Sequence, residues 1–297
     1  MQATHAGTQI ADDVLAGLPP DDVIFGRSAA MRPVRDRIER VAQANIPVLI
    51  RGESGTGKEI IAKLIHVRSR RREGRFVKVY CPAITASLID SPLFGGQVGF
   101  FGGTTTPGQG RVEAAQGGTL FLDEIADLDT PLQGKVLHLL QDGQVLRIGA
   151  PQEMSGGVRV LCATHRSVER AMKRGEFRPD LFYCINVISI HLPPLRERRE
   201  DIPVLVEYFL QHYAAKYNRL ALPLSVQCLH RLQEYDWPGN IRELENLINS
   251  FLILGCETAT LSEFMERLEV PARVRLSVSR RIHIYPAENR REHSFRL

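Results

Sequence analysis

The chain has 297 residues, of which 43% are hydrophobic and 24% are charged. This composition is typical of a soluble globular protein and unlike that of a disordered or fibrous chain. No apolar run approaches the roughly 18 residues of a membrane span, and no apolar block follows Met1, so we expect a cytoplasmic bacterial protein without a secretory signal. The cysteines form no CxxC pair and the histidines form no HExxH motif, which argues against a disulfide framework and a zinc site.

Strand and helix patterns alternate in the first two thirds of the chain. Short apolar runs predict strands at 47–50, 76–79, 119–122, 158–162 and 187–192, and apolar residues at helical spacing predict helices at 32–42, 58–67, 132–141 and 168–174. This alternation predicts an α/β fold, with a parallel sheet that is covered by helices on both faces.

After Pro193-Pro194 only helical patterns follow, at 201–216, 225–235 and 241–254. We therefore expect four segments: an N-terminal extension (1–22), an α/β unit (23–195), a small helical unit (196–265) and a tail (266–297). The end of this tail, 271–297, has seven arginines and two glutamates. It either binds phosphates electrostatically or is a solvated end without a partner.

Residues 95–118 contain nine of the chain's 24 glycines. We expect neither a regular helix nor a central strand there. A long insertion between two core elements is usually either functional or disordered.

The segment Gly52-Glu53-Ser54-Gly55-Thr56-Gly57-Lys58-Glu59 fits the GxxxxGK pattern of a phosphate-binding loop. Its glycines let backbone N–H groups converge on a phosphate, the next helix N-terminus adds partial positive charge, and Lys58 neutralises the outer phosphates. Glu59 takes the place of the usual Ser or Thr that ligates magnesium. A glycine-rich turn can also arise by chance, but here a strand precedes the loop and a helix follows it.

Asp123 and Glu124 follow the apolar run Leu120-Phe121-Leu122. Two adjacent carboxylates at the end of a buried strand are costly unless they meet a cation or a partner. In the functional interpretation Asp123 holds a magnesium–phosphate complex and Glu124 polarises the attacking water. In the alternative, the strand end turns into solvent and the acids cap the next helix.

Four motifs together resemble the AAA+ domain of bacterial sigma-54-dependent transcription activators. They are GESGTGKE at 52–59, GGTLFLDE at 117–124, LPPLRER at 192–198 and WPGNIREL at 237–244, and the resemblance spans about residues 23–265. It implies a ring hexamer that hydrolyses ATP between subunits and remodels sigma-54 RNA polymerase, and it makes Glu59 the normal residue at its position. The resemblance also implies DNA binding, but the tail has no convincing helix-turn-helix.

The resemblance also implies roles for single residues. Phe25 and Gly26 would lie near the adenine, Thr164 would be the first sensor, Arg242 the second sensor, and Arg178 an arginine finger that enters the neighbouring subunit's site. For Arg178 and Arg242 a surface salt bridge is the alternative.

Three departures from the family pattern fall in the catalytic and output machinery. The polymerase-contacting GAFTGA loop aligns with Gly99, Phe100, Phe101, Gly102, Gly103 and Thr104, so a glycine replaces the threonine. Cys184 stands where a second arginine is common, and Tyr80 stands where an asparagine restrains the catalytic glutamate. These changes favour a chain that still binds nucleotide but has weakened ATP turnover or weakened coupling of that turnover to the polymerase.

Three functions therefore stay open from the sequence. The chain is an active ATPase of the sigma-54 activator type, or a nucleotide-binding subunit with weak or no turnover that acts in a mixed ring or as an antagonist, or a different AAA+ machine. It is also short for the family, with no room for an upstream sensory domain, which fits either a naturally short member or a truncated one.

Overall fold

The computed structural model describes residues 17–84, 110–142, 157–221 and 223–254, together with residue 14 and two short strands at 144–145 and 154–155. The loop predicted to contact the polymerase (99–104), the tail (266–297) and most of the N-terminal extension lie outside the described residues.

A five-stranded parallel sheet forms the centre of the first unit. Its strands are β1 (Val48–Arg51), β2 (Phe76–Tyr80), β3 (Thr119–Asp123), β6 (Arg159–Thr164) and β7 (Ile188–His191), and their order across the sheet is β2-β3-β6-β1-β7. The remaining strands, β4 (Gln144–Val145) and β5 (Met154–Ser155), form a separate antiparallel pair. The predicted parallel sheet is confirmed.

Helices cover both faces of this sheet. They are α1 (Asp21–Phe25), α2 (Arg32–Ala42), α3 (Lys58–Val67), α4 (Arg111–Ala114), α5 (Thr130–Asp142), α6 (Val168–Lys173) and α7 (Pro179–Ile185). Alternate residues of each strand enter opposite cores: Leu120 and Leu122 pack into one core, whereas Phe121 packs into the other. The predicted helices 32–42 and 58–67 have the same bounds in the structure.

The short helix α4 corrects one prediction. Residues 95–118 were expected to contain no regular helix, but Arg111–Ala114 is helical. Residues 111–116 form a glycine-free stretch between Gly110 and Gly117, so the backbone there can adopt a helical turn. Val112 and Ala115 are completely buried there, so tertiary packing stabilises this single turn.

The second unit is a helical lid, as predicted. It comprises α8 (Ile202–Tyr217), α9 (Val226–Glu234) and α10 (Asn240–Leu254), and it has its own core around the fully buried Trp237. The indole N–H of Trp237 donates to the Leu232 carbonyl oxygen at 2.7 Å, which satisfies the one polar group of this side chain.

The parallel topology brings several polar side chains to one edge of the sheet. Register pairs Arg51 with Thr164 and Asp123 with both Ala163 and Tyr80. These positions are at the carboxyl ends of their strands, where parallel sheets bind ligands.

Candidate nucleotide-binding site

A cavity of about 750 Å³ lies where the sheet edge meets the lid. Its volume is in the range of small-molecule sites. Its walls include residues 54–59 of the phosphate loop, both acids of the GGTLFLDE motif, and lid residues from α8 and α10. All four sequence motifs contribute to this cavity, since Leu192 and Arg198 of LPPLRER line it as well.

The phosphate loop connects β1 to α3. Gly55 and Gly57 have φ values of +79° and +96°, a left-handed conformation that favours glycine. The Lys58 side chain is 7% exposed, and its Nζ donates to the carbonyl oxygens of Gly52 at 3.0 Å and Glu53 at 3.2 Å. The loop thus keeps a buried ammonium group at the N-terminus of a ten-residue helix, where backbone N–H groups and positive charge favour an anion.

Of the two acids at the end of β3, Glu124 lies beside this lysine rather than turning away from it. Glu124 Oε1 is 3.5 Å from Lys58 Nζ, and the Glu124 side chain is only 12% exposed. Glu124 has φ 57° and ψ 51°, an uncommon conformation for a residue other than glycine and one that is enriched at functional sites.

Lys78 is a functional candidate that sequence reasoning missed. Its Nζ donates to Glu59 Oε2 at 2.6 Å and lies 3.3 Å from Asp123 Oδ2. Burial acts to lower the pKa of Lys78, but the hydrogen bond and charge of Glu59, together with Asp123, outweigh it and raise that pKa. Lys78 therefore supplies a fixed positive charge beside the carboxylate that was predicted to hold magnesium.

His165 is a second residue without a predicted role. Its backbone N–H donates to Glu124 Oε2 at 3.0 Å, and its ring Nδ1 lies 2.7 Å from the same oxygen. The signal in the sequence was its position directly after Thr164. By contrast, Tyr80, at the place of the family's restraining asparagine, is 52% exposed.

Magnesium and ATP both suit the residues of this cavity. Hard carboxylate oxygens are the ligands that magnesium prefers, and Asp123 and Glu124 both face the cavity. Glu124, Asp127 and His165 also have potential ligand atoms within 4.8 Å of one another. A Cβ added to Gly57 would meet only the end of Ile241, at 3.8 Å, which leaves space for a phosphate against the loop.

The remaining predicted residues have varied positions. Arg242 lines the cavity, and its Nη1 donates to Ser54 Oγ at 3.2 Å. Thr164 is buried, and its hydroxyl accepts a hydrogen bond from the Arg166 backbone N–H. Phe25 and Gly26 do not line the cavity, whereas Val23 and Ile24 do. The Phe25 ring instead packs against two guanidinium groups, those of Arg35 and Arg68.

Arg178 lies just before α7, away from the cavity. Its guanidinium pairs with Asp180 at 2.7 Å, which is the surface salt bridge that the sequence allowed as the alternative. Within a single chain it therefore has no contact with the nucleotide site. Cys184 on the same helix is half-buried and packs against the core.

Glu53 connects the phosphate loop to the LPPLRER and WPGNIREL motifs through hydrogen bonds. Its carboxylate accepts two hydrogen bonds from Arg196, at 2.9 and 2.6 Å, and one from Asn240 at 3.2 Å. These partners belong to LPPLRER and WPGNIREL. The hydrogen bond from Arg196 holds the pKa of Glu53 below its usual value.

Comparison with known protein families agrees with this geometry. Residues 24–191 match the family described as Sigma-54 interaction domain, and residues 196–272 match the AAA+ ATPase lid domain. The chain belongs to the sigma-54 activator family. The third function left open by the sequence, a different AAA+ machine, is disfavoured by this match.

Individual relatives of this sigma-54 activator domain are regulators. HyfR, a DNA-binding transcriptional activator of Escherichia coli, is 40% identical over 296 residues, which cover 97% of this chain and 44% of HyfR. A Nif-specific regulatory protein of Herbaspirillum seropedicae is 46% identical over 227 residues, which cover 76% of this chain and 42% of that protein. The chain therefore spans less than half the length of these relatives.

A solved structure of NtrX from Brucella abortus in complex with ATP is also similar. Its TM-score is 0.73 with 35% identity, over 84% of this chain and 53% of NtrX. A further NtrX structure contains ADP, so nucleotide binding is a property of this family. Among the described residues of our chain, no helix is both long and apolar enough to cross a bilayer.

Proposed function

We propose that this chain binds and hydrolyses ATP and uses the energy, as a ring of subunits, to remodel sigma-54 RNA polymerase. One observation carries the proposal: the Gly52–Glu59 loop and the acids Asp123 and Glu124 face one cavity beneath a helical lid. We also propose the segment boundaries 1–22, 23–195, 196–265 and 266–297. The family matches at 24–191 and 196–272 support the two central segments.

The side chains would divide the chemistry of hydrolysis among them. Lys58 and the backbone N–H groups of the loop would bind the outer phosphates, and Asp123 would hold the magnesium ion. When bound, that ion would neutralise charge on the phosphate oxygens. Glu124 would orient and polarise the attacking water. Arg242 would approach the phosphates from the lid.

Arg178 would act on the neighbouring subunit's nucleotide. Its present partner, Asp180, is exposed to solvent and two residues away, and exposed ion pairs of this kind contribute little to stability. Arg178 could therefore exchange Asp180 for a phosphate at low cost. This role requires a ring, so turnover should depend on protein concentration.

Phosphate release, measured over a range of protein concentrations together with nucleotide-dependent sizing, tests the proposal. We expect turnover per subunit to rise steeply at the protein concentrations where larger assemblies form. We also expect the ATP-bound chain to retain sigma-54 in a pull-down assay. Lys58→Ala is the control because it removes the ammonium group that would contact the phosphates. Turnover no higher than that of Lys58→Ala at every concentration would exclude hydrolysis as the function.

A nucleotide-binding subunit with weak or no turnover is the second candidate. It is favoured by Cys184, which packs its thiol against the core and offers no cation at the position of a second arginine. In this role the chain would act in a mixed ring or as an antagonist. Nucleotide binding without turnover in isolation, and restored turnover on mixing with an active relative, would distinguish it from the first candidate.

Contacts with DNA are a further part of the proposal. The arginines of the tail at 271–297 could touch backbone phosphates without reading bases. Alternatively, the chain borrows DNA recognition from another protein. Binding to a random duplex that weakens strongly with salt would support the first possibility.

A further inference from the structure

Three successive carbonyl groups of the phosphate loop accept hydrogen bonds from residues of the LPPLRER and WPGNIREL motifs. The pairs, each at 3.0 Å, are Asn240 Nδ2 to the Ser54 oxygen, the Ile241 N–H to the Gly55 oxygen, and Arg198 Nη2 to the Thr56 oxygen. All three donors come from outside the loop and its flanking strand and helix.

The backbone of the lid also lies directly against the loop. A Cβ added to Gly55 would clash with the carbonyl oxygen of Gly239, so the glycine is required by this close approach as well as by its positive φ. Asn240 is completely buried with φ 55°, and its Oδ1 accepts a hydrogen bond from the Leu195 N–H at 2.8 Å. One amide side chain therefore joins the loop to both lid motifs.

The direction of these carbonyl groups determines the direction of the N–H groups that follow them. In a trans peptide unit the C=O of one residue and the N–H of the next point to opposite sides. With the Ser54 and Thr56 carbonyls turned to the lid donors, the N–H groups of Gly55 and Gly57 point the other way. These N–H groups belong to the set that a phosphate-binding loop uses to cradle phosphate.

We propose that Asn240 and Arg198 are positioning residues, which preorganise the phosphate-binding loop from the lid before nucleotide arrives. Glu53 reinforces the arrangement, because Arg196 and Asn240 bind its carboxylate. Preorganisation removes an ordering cost that binding would otherwise have to meet. By linkage, a nucleotide that binds the ordered loop also stabilises the docked lid. This inference rests on the proposed nucleotide-binding function.

The test compares ADP with AMP in calorimetry or competition binding, because only ADP has the β-phosphate that such loops wrap. Asn240→Gly removes the side chain and keeps the left-handed backbone, which glycine adopts readily. We expect its affinity for ADP to fall about tenfold, as for the loss of one to two hydrogen bonds, and its affinity for AMP to stay within about twofold. The ratio of ADP affinity to AMP affinity should therefore decrease.

Arg199→Met is the matched control. Arg199 donates to the carbonyls of Gln233 at 2.7 Å and Arg196 at 3.1 Å and pairs with Asp236 at 2.8 Å. Its substitution therefore perturbs the lid but removes no hydrogen bond to the phosphate loop itself. We expect an unchanged ADP-to-AMP ratio. Should Asn240→Gly fail to fold, Arg196→Met provides the test, because the Arg196 side chain is 37% exposed; there we expect a loss of ADP affinity of about threefold.

The possible outcomes separate this inference from the proposed function. A wild-type chain that binds no ADP would overturn the proposed function itself. Wild-type ADP affinity in a folded Asn240→Gly protein, or equal losses for ADP and AMP, would overturn the positioning role alone. Loss of ADP affinity in Arg199→Met comparable to that in Asn240→Gly would also overturn it, since the lid as a whole would then be responsible.

Discussion

The lid side and the sheet side of the cavity are stabilised in different ways. On the lid side, residues of the two other motifs bind the Glu53 carboxylate and the backbone carbonyls of residues 54–56. On the sheet side, the carboxylates of Asp123 and Glu124 are bound by Lys78 and His165. Backbone contacts that span three motifs hold a fixed binding surface, whereas side-chain ion pairs can be exchanged when a magnesium nucleotide arrives.

Two departures from the family pattern, Tyr80 and Cys184, lie within the described residues, whereas Gly102 does not. Tyr80 is paired in register with Asp123, and Cys184 lies on the helix that Arg178 precedes. The lid-side contacts to the phosphate loop involve neither of them. This contrast predicts that nucleotide binding and turnover can be changed independently.

The largest expected effect of one substitution is on turnover, at Glu124→Gln. The amide keeps the size of the side chain and an acceptor for the His165 N–H, but it cannot polarise water as a carboxylate does. We expect phosphate release to fall at least about 100-fold, within the range of general acid–base contributions, while ATP affinity stays near that of the wild type. Single-turnover phosphate release and calorimetry measure the two quantities.

Glu176→Gln is the control for this substitution, since Glu176 pairs with Arg166 and Arg174 on the surface. Parallel loss of ATP affinity and turnover in Glu124→Gln would contradict the separation of the two sides.

The next largest effect is expected at Cys184→Arg, and in the opposite direction. An arginine finger is typically worth about 10³–10⁵ in rate, and part of that should be recoverable if a neighbouring subunit's site lacks a second cation. We expect turnover to rise at least about tenfold at protein concentrations that support assembly, as read by steady-state phosphate release. Cys184→Ala, which removes the thiol and adds no charge, should leave turnover unchanged. An arginine variant that assembles and shows no gain would argue against a missing finger.

Much of the sheet and the position of the two acids near the phosphate loop could be predicted from the sequence. Apolar runs mark the strands, and the carboxyl ends of parallel strands meet at one edge, which brings Asp123 towards the phosphate loop. Helices 32–42 and 58–67 were predictable because apolar spacing marks them. Helix α7 was not predicted, because the segment from Arg178 to Cys184 was interpreted only by its resemblance to a finger motif.

The ionic partners of the site could not be predicted, because they depend on tertiary geometry. Lys78 occupies an exposed position in the alternating strand Phe76–Tyr80, and such a residue normally faces solvent. Only the pairing of β2 with β3, and the position of Glu59 on α3, place it between two carboxylates. The contacts of Asn240 likewise require the lid to fold back onto a loop almost 190 positions earlier in the chain.

His165→Ala tests which residue restrains Glu124, with a moderate expected effect. The ring Nδ1 lies 2.7 Å from Glu124 Oε2, and one hydrogen bond is worth about 0.5–1.5 kcal/mol net. We expect basal turnover to rise about threefold as the carboxylate is released, measured by phosphate release without sigma-54. The comparison variant is Tyr80→Asn, which introduces the asparagine of the family pattern and should lower basal turnover in the His165→Ala background. Unchanged turnover in His165→Ala would show that its backbone N–H alone is sufficient.

The smallest expected effect concerns magnesium, at Lys78→Met. The Lys78 ammonium lies 3.3 Å from Asp123 Oδ2 and the side chain is 39% exposed, so the interaction is a partly screened ion pair worth about 1 kcal/mol or less. Because a divalent cation at Asp123 would be repelled by this charge, its removal should lower the magnesium concentration for half-maximal turnover by about two- to threefold. A magnesium titration of phosphate release measures the shift, with Lys63→Met as the control, since Lys63 pairs with Glu59 at 2.9 Å but contacts neither Asp123 nor Glu124. An increased magnesium requirement in Lys78→Met would mean that this lysine organises the carboxylates for the ion instead of competing with it. The sheet side of the cavity would then resemble the lid side, because both would be arranged before their ligand binds.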